Sequence, residues 1–144
     1  MRAAVVPLLV VVLLAGCSAH KPPVGRWEGT LDTAEAMVAA RVEIDDKGLV
    51  RVTAPNAEDV GDAEDTRAAM RQSLAAGLAA NWDEVPPREM DFDGHTFRKR
   101  GGIAPQMIWD AEKKRMYLVV YLGKKPGINI LLRPVDDFSD NPWS

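Results

Sequence analysis

The cysteine, histidine and serine inventory of the chain is small: Cys17, His20 and His95, and Ser18, Ser73, Ser139 and Ser144. Nucleophilic hydrolysis needs a nucleophile, a base and a group that orients the base. None of these serines stands in a Gly-x-Ser-x-Gly turn. A zinc centre needs several His or Cys ligands, and the domain offers one histidine and no spare thiol. Asp91 and Asp93 fall on one strand face, where paired carboxylates can do acid/base work, but beside the turn sequence Asp93-Gly94 they read more simply as solvated. The acidic run Glu58, Asp59, Asp62, Glu64 and Asp65 lacks the spacing and closing glutamate of a calcium loop; it suits the solvated start of a helix. The expectation is therefore a non-enzyme with no cofactor and no metal.

The cations make a more specific suggestion. Arg98-Lys99-Arg100 and Lys124-Lys125 stand in turns two connections apart, with Lys113-Lys114 between them. In an up-and-down meander alternate turns share an end, so the first two groups come together and the third does not. Such a rim can meet the phosphates of lipid headgroups or lipopolysaccharide, although turn lysines are more often only solvated. His95 alternates with Phe97, which turns it inward as a second candidate contact; a lone histidine there is more often structural than catalytic. The candidate ligand or anion contacts are thus Trp27, His95, Arg98, Lys99, Arg100, Lys124 and Lys125.

Cys17 has a different chemistry available. Met1-Arg2 is a positive start, the residues from Ala3 to Leu14 are apolar apart from Pro7, and small residues follow at Ala15 and Gly16. This is the layout of a secretory signal peptide. The run is shorter than the roughly 20 apolar residues that cross about 30 Å of hydrocarbon. Leu14-Ala15-Gly16-Cys17 resembles the lipobox of bacterial lipoproteins. That resemblance implies diacylglyceryl transfer to the Cys17 thiol, removal of residues 1–16 and acylation of the new amino terminus, palmitate included. Each buried methylene adds about 0.8 kcal/mol, so two or three chains anchor stably where one does not. By the same resemblance, Ser18 after the cysteine favours the outer membrane, facing the periplasm, in a Gram-negative host.

Cleavage before Cys17 leaves 128 residues with 17 basic and 21 acidic side chains, a net charge of −4. That is one domain with a real core, and a charge that argues against nucleic acid as a partner. With its one cysteine assigned to lipid, the chain has no internal disulfide to lean on. Stability must come from packing.

The elements that would position these groups follow from periodicity. Residues 17–24 read as a lipidated spacer, extended at Pro22-Pro23. Arg26 to Leu31 alternates with Trp27, Gly29 and Leu31 on one side; Gly25-Arg26-Trp27 resembles the Gly-x-Trp that opens lipocalin-like barrels, whose tryptophan closes the barrel floor. Ala36 to Ile44 is a second strand. Asp45-Asp46-Lys47-Gly48 has hairpin chemistry, and Leu49 to Thr53 is a third strand. After Pro55-Asn56 the pattern turns helical over about 63–81, with Asp62 as N-cap and a stripe of Met70, Leu74, Leu78 and Trp82. Beyond Val85-Pro86-Pro87 a second meander follows: 90–92, 95–99, 105–110, 115–122 and 128–133. Residues 116–122 are apolar on both faces, so the helix is expected to cover the outer one. Residues 136–144 read as a loose tail with Trp143 as a late anchor.

The fold class expected is α+β, mainly β: an antiparallel meander or small half-barrel of about seven strands, residues 25–135, with one covering helix. The function expected is a lipid-anchored envelope protein that binds a small apolar or amphipathic ligand. The alternative is a structural or assembly factor working through envelope-protein contacts, with an exposed patch formed by Phe138 and Trp143 or by Met107 and Trp109.

Overall fold

The computed structural model describes residues 20–143, so residues 1–16 and Cys17 lie outside it. Nine strands form one antiparallel sheet: β1 (Gly25–Asp32), β2 (Ala36–Ile44), β3 (Val50–Thr53), β4 (Asn56–Glu58), β5 (Met90–Phe92), β6 (Thr96–Lys99), β7 (Pro105–Asp110), β8 (Arg115–Val120) and β9 (Ile128–Val135). Their order is β3-β2-β1-β9-β8-β7-β6-β5, with β4 also on β2. One bridge nearly closes the sheet into a barrel: Val50 and Arg88 exchange backbone hydrogen bonds of 2.8 Å in both directions. The fold is mainly β with one helix, as the periodicity implies.

The strand count exceeds the expected seven partly because β3 and β4 both pair with β2 and flank Pro55. Proline has no N–H for a ladder, so the strand bends there while the Pro55 carbonyl still accepts from Ala39 N at 3.1 Å. The turns form where their residues suggest. Asp45 Oδ1 accepts from the amides of Lys47 and Leu49, both at 2.9 Å, and Gly48 takes φ +79°. At the β5–β6 turn, Asp93 Oδ1 accepts from His95 N at 2.9 Å and Thr96 N at 2.7 Å.

Alternation sends one face of each strand inward. Trp27, Val38, Val42, Phe97, Met107, Met116 and Leu132 are all buried in one interior cluster. Trp27 meets Trp109 edge to face at 6.2 Å, and Phe92 stacks on Phe97 at 4.3 Å, the offset geometries that aromatic quadrupoles favour.

The helix α1 (Glu64–Asn81) continues into a 3₁₀ turn, Trp82–Glu84. Its placement corrects two expectations. It covers β2, not the strand at 116–122: Leu74 and Leu78 are buried against Met37 and Ala39, flanked by Met70 and Trp143. β2 is buried on both faces, and α1 starts six residues after β4, which is itself paired to β2. The short connection holds the helix there. The outer face of β8 is instead met at Val119 by the 123–127 turn: a Cβ on Gly127 would lie 2.7 Å from Val119 Cγ1. The cap position belongs to Ala63, without a side-chain bond, and not to Asp62. Arg67 secures the helix start instead, donating to Thr33 O at 3.1 Å and Gly61 O at 2.9 Å and pairing with Asp32.

Residues 136–143 are held where a loose tail is expected. Glu28, only 1% exposed, accepts from Ser139 N at 3.0 Å and from Arg133 at 3.1 Å. Arg41 donates to Ser139 O at 3.2 Å and sits 4.9 Å from the Phe138 ring centroid. Trp143 Nε1 donates to Arg71 O at 2.8 Å, the anchor its sequence position suggests.

Candidate functional site

The seam between β3 and β5 is where the barrel is open. Pro86-Pro87 precede β5 and supply no amide protons, so strand pairing cannot run on from the single Val50–Arg88 bridge. A cleft of about 660 Å³ enters there. Its floor is apolar and belongs to the barrel interior: Val50 and Val52 from β3, Met90 from β5, Met107 from β7 and Leu118 from β8. Asn81, Glu84, Val85 and Pro86 form one wall, and Arg88, Glu89, Lys99, Arg100 and Gln106 the rim.

The wall at 82–86 is fixed by Arg51, which points outward between the floor residues Val50 and Val52. Arg51 Nε donates to Val85 O at 3.0 Å, a second nitrogen donates to Trp82 O, and the guanidinium lies 4.2 Å from the Trp82 ring centroid. Arg51 also bonds Glu43 Oε1 at 3.2 Å, while Arg26 holds the other oxygen at 2.8 Å. Arg26 pulls the Glu43 carboxyl below its ordinary range; partial burial pushes it up and Arg51 pulls it down further.

Of the residues the sequence singles out, Lys99 and Arg100 reach this cleft. Arg100 is ion-paired with Glu89. Arg98 lies on the opposite face of β6, donating to Ile103 O at 3.1 Å and to Asp93 at 3.2 Å. Trp27 is 4% exposed, in the interior and away from the cleft. His95 is exposed, not inward; its Nδ1 lies 2.9 Å from the Trp109 carbonyl oxygen. Register and turn geometry explain this: Asp93 gathers the His95 and Thr96 amides, and regular pairing resumes at Thr96. Lys124 and Lys125 are exposed in the β8–β9 turn and do not line the cleft. Their turn shares an end of the barrel with the β6–β7 loop, joined to it by Tyr121 Oη donating to Pro105 O at 2.7 Å.

Asp93 is poorly suited to acid/base work. The Thr96 and His95 amides, followed by Arg98, hold the Asp93 carboxyl down to about 2, so it neither takes nor gives a proton near neutrality. Asp91 accepts from Gly101 N at 3.2 Å.

Sequence reasoning missed Arg88, Glu84, Glu89 and Arg51, because the closure between residues 50 and 88 that assembles them is not a local pattern. One local signal was available. Positions 88, 90 and 92 share a face, as do 97 and 99; Met90, Phe92 and Phe97 point inward, which puts Arg88 and Lys99 on the interior side of the wall. No family model matches this chain, and comparison with curated proteins and with solved structures finds no similar one.

Proposed function

We propose that this chain is a lipid-anchored bacterial envelope protein, tethered through Cys17 and not an enzyme, whose barrel takes a small apolar or amphipathic ligand at the β3–β5 seam. The observation that carries the ligand reading is the cleft itself: about 660 Å³ of space opening on buried interior side chains, within the roughly 300–1,000 Å³ common to small-molecule sites. The apolar floor with a few charged groups at the rim has the composition of such sites. A barrel whose first strand opens Gly25-Arg26-Trp27 with the tryptophan inside supports a lipocalin-like use of the fold.

The anchor rests on Leu14-Ala15-Gly16-Cys17 behind its apolar run. No helix among the described residues is long and apolar enough to cross a membrane. The chain enters the barrel at the end carrying the β2–β3 and β5–β6 turns: His20 lies against Gly94 and Pro22 against Gly48. A tether three residues before His20 holds that end towards the membrane. The Lys124-Lys125 turn is then on the far end, which favours a role for Lys99 and Arg100 in the cleft over contact with the anchoring leaflet. By the Ser18 argument that leaflet belongs to the outer membrane.

Two measurements test this. Delipidated protein exposed to native lipid extracts should retain a ligand by mass spectrometry, and Val52→Trp, which fills the floor, should abolish retention; no retained ligand overturns the binding reading. Cys17→Ser should move the protein out of the membrane fraction and remove palmitate labelling; unchanged membrane association and labelling overturn the anchor.

A second reading, an assembly factor, is favoured by Ile103, Leu131 and Tyr121, exposed by 90%, 52% and 45%. Its patch is not one of the expected pairs, since Phe138 meets Trp82 and Arg41, and Met107 is buried. In-membrane crosslinking from Leu131 to a specific protein would support it.

A further inference from the structure

We infer that the seam cleft takes a single-chain amphiphile with an anionic head, carboxylate or phosphate, and that Arg88 and Lys99 hold the head. This rests on the reading of the cleft as a ligand site and goes further, to the chemistry of the ligand.

The argument begins with a break in patterning. The interior cluster of this barrel is built from Val, Ile, Leu, Met, Phe, Trp and Ala. Arg88, paired with Val50, and Lys99, paired with Met90, stand on that same side of the sheet where the seam opens; both are exposed there, line the cleft and are cationic. Departures from binary patterning without a structural gain are where function is to be sought. Neither has a structural partner: among the described residues, neither side chain takes part in an ion pair or a hydrogen bond. Arg98 and Arg100 beside them are both paired to carboxylates.

Their spacing suits one small anion. Lys99 is the register partner of Met90, and Arg88 lies two residues before Met90 on the same face. Diagonal neighbours of this kind are about 7–8 Å apart at the backbone, within reach of long side chains, so two flexible cations can close on one group. Arg88 can grip a carboxylate or phosphate with two parallel N–H donors, and Lys99 adds a mobile point charge. The cleft lining carries Arg88, Lys99 and Arg100 against Glu84 and Glu89, a local positive balance on a chain whose net charge is −3. The Glu84 carboxylate on the wall disfavours a second negative charge deeper in.

The tail of the ligand is set by the floor. Val50, Val52, Met90, Met107 and Leu118 offer only apolar surface. The cleft does not run on through the barrel, because Phe97 is fully buried against Phe92 and Trp27 against Trp109. A cleft of about 660 Å³ closed off from the rest of the interior fits one acyl chain better than two.

The test uses the full-length chain in zwitterionic nanodiscs, with empty nanodiscs as the blank. Sub-micellar decanoate, decyl phosphate, decanol and decyltrimethylammonium are titrated calorimetrically. One equivalent of decanoate or decyl phosphate should bind at least about tenfold more tightly than decanol, and the cationic amphiphile more weakly still. Binding of decanoate alone assigns a carboxylate head, and of decyl phosphate alone a phosphate head. Arg88→Gln and Lys99→Gln should each weaken anion binding about tenfold and leave decanol unchanged, while Arg98→Gln should change nothing. Unchanged decanol affinity shows that the variants remain folded. Equal affinity for decanol and decanoate, or anion binding indifferent to both substitutions, overturns the anionic head and leaves the apolar site standing. Binding of none of the four overturns the site as well.

Discussion

The guanidinium of Arg51 lies over the indole of Trp82, 4.2 Å from the ring centroid, and donates to backbone carbonyls on both sides of the turn that follows α1. One side chain of β3 thereby fixes the wall of the cleft whose floor its neighbours Val50 and Val52 form. Hydrogen bonds from a charged donor each contribute about 1.5–3 kcal/mol when partly buried, and the cation–π contact adds to them. Arg51→Ala is expected to cost about 2–4 kcal/mol in chemical denaturation. It should also speed amide exchange at Val85, whose N–H is bonded to Trp82 O at 3.1 Å. Arg51→Lys should recover little, since a point charge cannot reach two carbonyls and stack at once.

The position of the helix makes a second prediction. Leu78 is fully buried and shares a cluster with Met37 on the outer face of β2. Leu78→Ala should cost about 2–5 kcal/mol by loss of transfer energy and formation of a cavity. Combined with Met37→Ala it should show a coupling of about 0.5–3 kcal/mol, whereas combined with Val119→Ala on β8 it should be additive to about 0.5 kcal/mol. The reverse pattern would put the helix over β8.

These two relationships mark the boundary of what the chain discloses locally. Period-two alternation gives the strands, and Asp45-Asp46-Lys47-Gly48 and Asp93-Gly94 give their turns, because each depends on neighbours within a few residues. The helix partner does not follow from that level: both β2 and the 116–122 strand are apolar on two faces, and the choice is made by the short connection from β4. The β4 strand itself is hidden by Pro55, which bends its parent strand. The cleft is half legible. Lys99 and Arg100 stand out as cations and the β5–β6 hairpin brings Arg88 to them, but the floor residue Val50 meets Arg88 only through a bridge across 38 positions of the chain. The tail reads as loose because Glu28 and Arg41, which grip Ser139, are about a hundred residues upstream.

Asp93 gives the fold a defined response to acid. Its carboxyl titrates at about 2, against an ordinary 3.8, because it accepts the Thr96 and His95 amides and faces Arg98. A depressed folded-state value means a stabilising contribution that is complete above the ordinary value and disappears as the pH falls through the folded one. The difference in melting temperature between the wild type and Asp93→Asn should therefore be constant above about pH 5 and shrink between pH 4 and 2. A carboxyl signal from Asp93 titrating near 4 in a carbon-13 NMR experiment would contradict the turn geometry.

Glu28 tests whether the last residues are part of the domain. It is buried, and its two oxygens divide between Arg133 and the Ser139 amide. Glu28→Gln keeps the volume but gives up the charge that both donors meet, an expected loss of about 1–3 kcal/mol. Limited proteolysis should then cut within residues 136–143 faster than in the wild type. An unchanged cleavage rate would mean that Phe138, Trp143 and the bond from Arg41 to Ser139 O hold the segment without Glu28.

Two glycines should respond to the same substitution with opposite signs. A Cβ on Gly29 would stand 2.7 Å from Leu131 O and 2.8 Å from Leu132 Cδ2. Main-chain atoms of β9 cannot yield without parting from β1, and Leu132 is itself locked in the core, so Gly29→Ala is an overpacking change worth about 1–3 kcal/mol of destabilisation. Gly77 lies inside α1 with nothing within 4 Å of where its Cβ would be. There alanine removes the entropic cost of a flexible residue in a helix, and Gly77→Ala should stabilise by about 0.5–1 kcal/mol. Denaturant midpoints of the two variants, with unchanged slopes, decide the matter. If Gly29→Ala were neutral, β1 and β9 would have to be farther apart than their register allows, and the barrel would lack the wall between its tryptophan core and the segment that Glu28 holds.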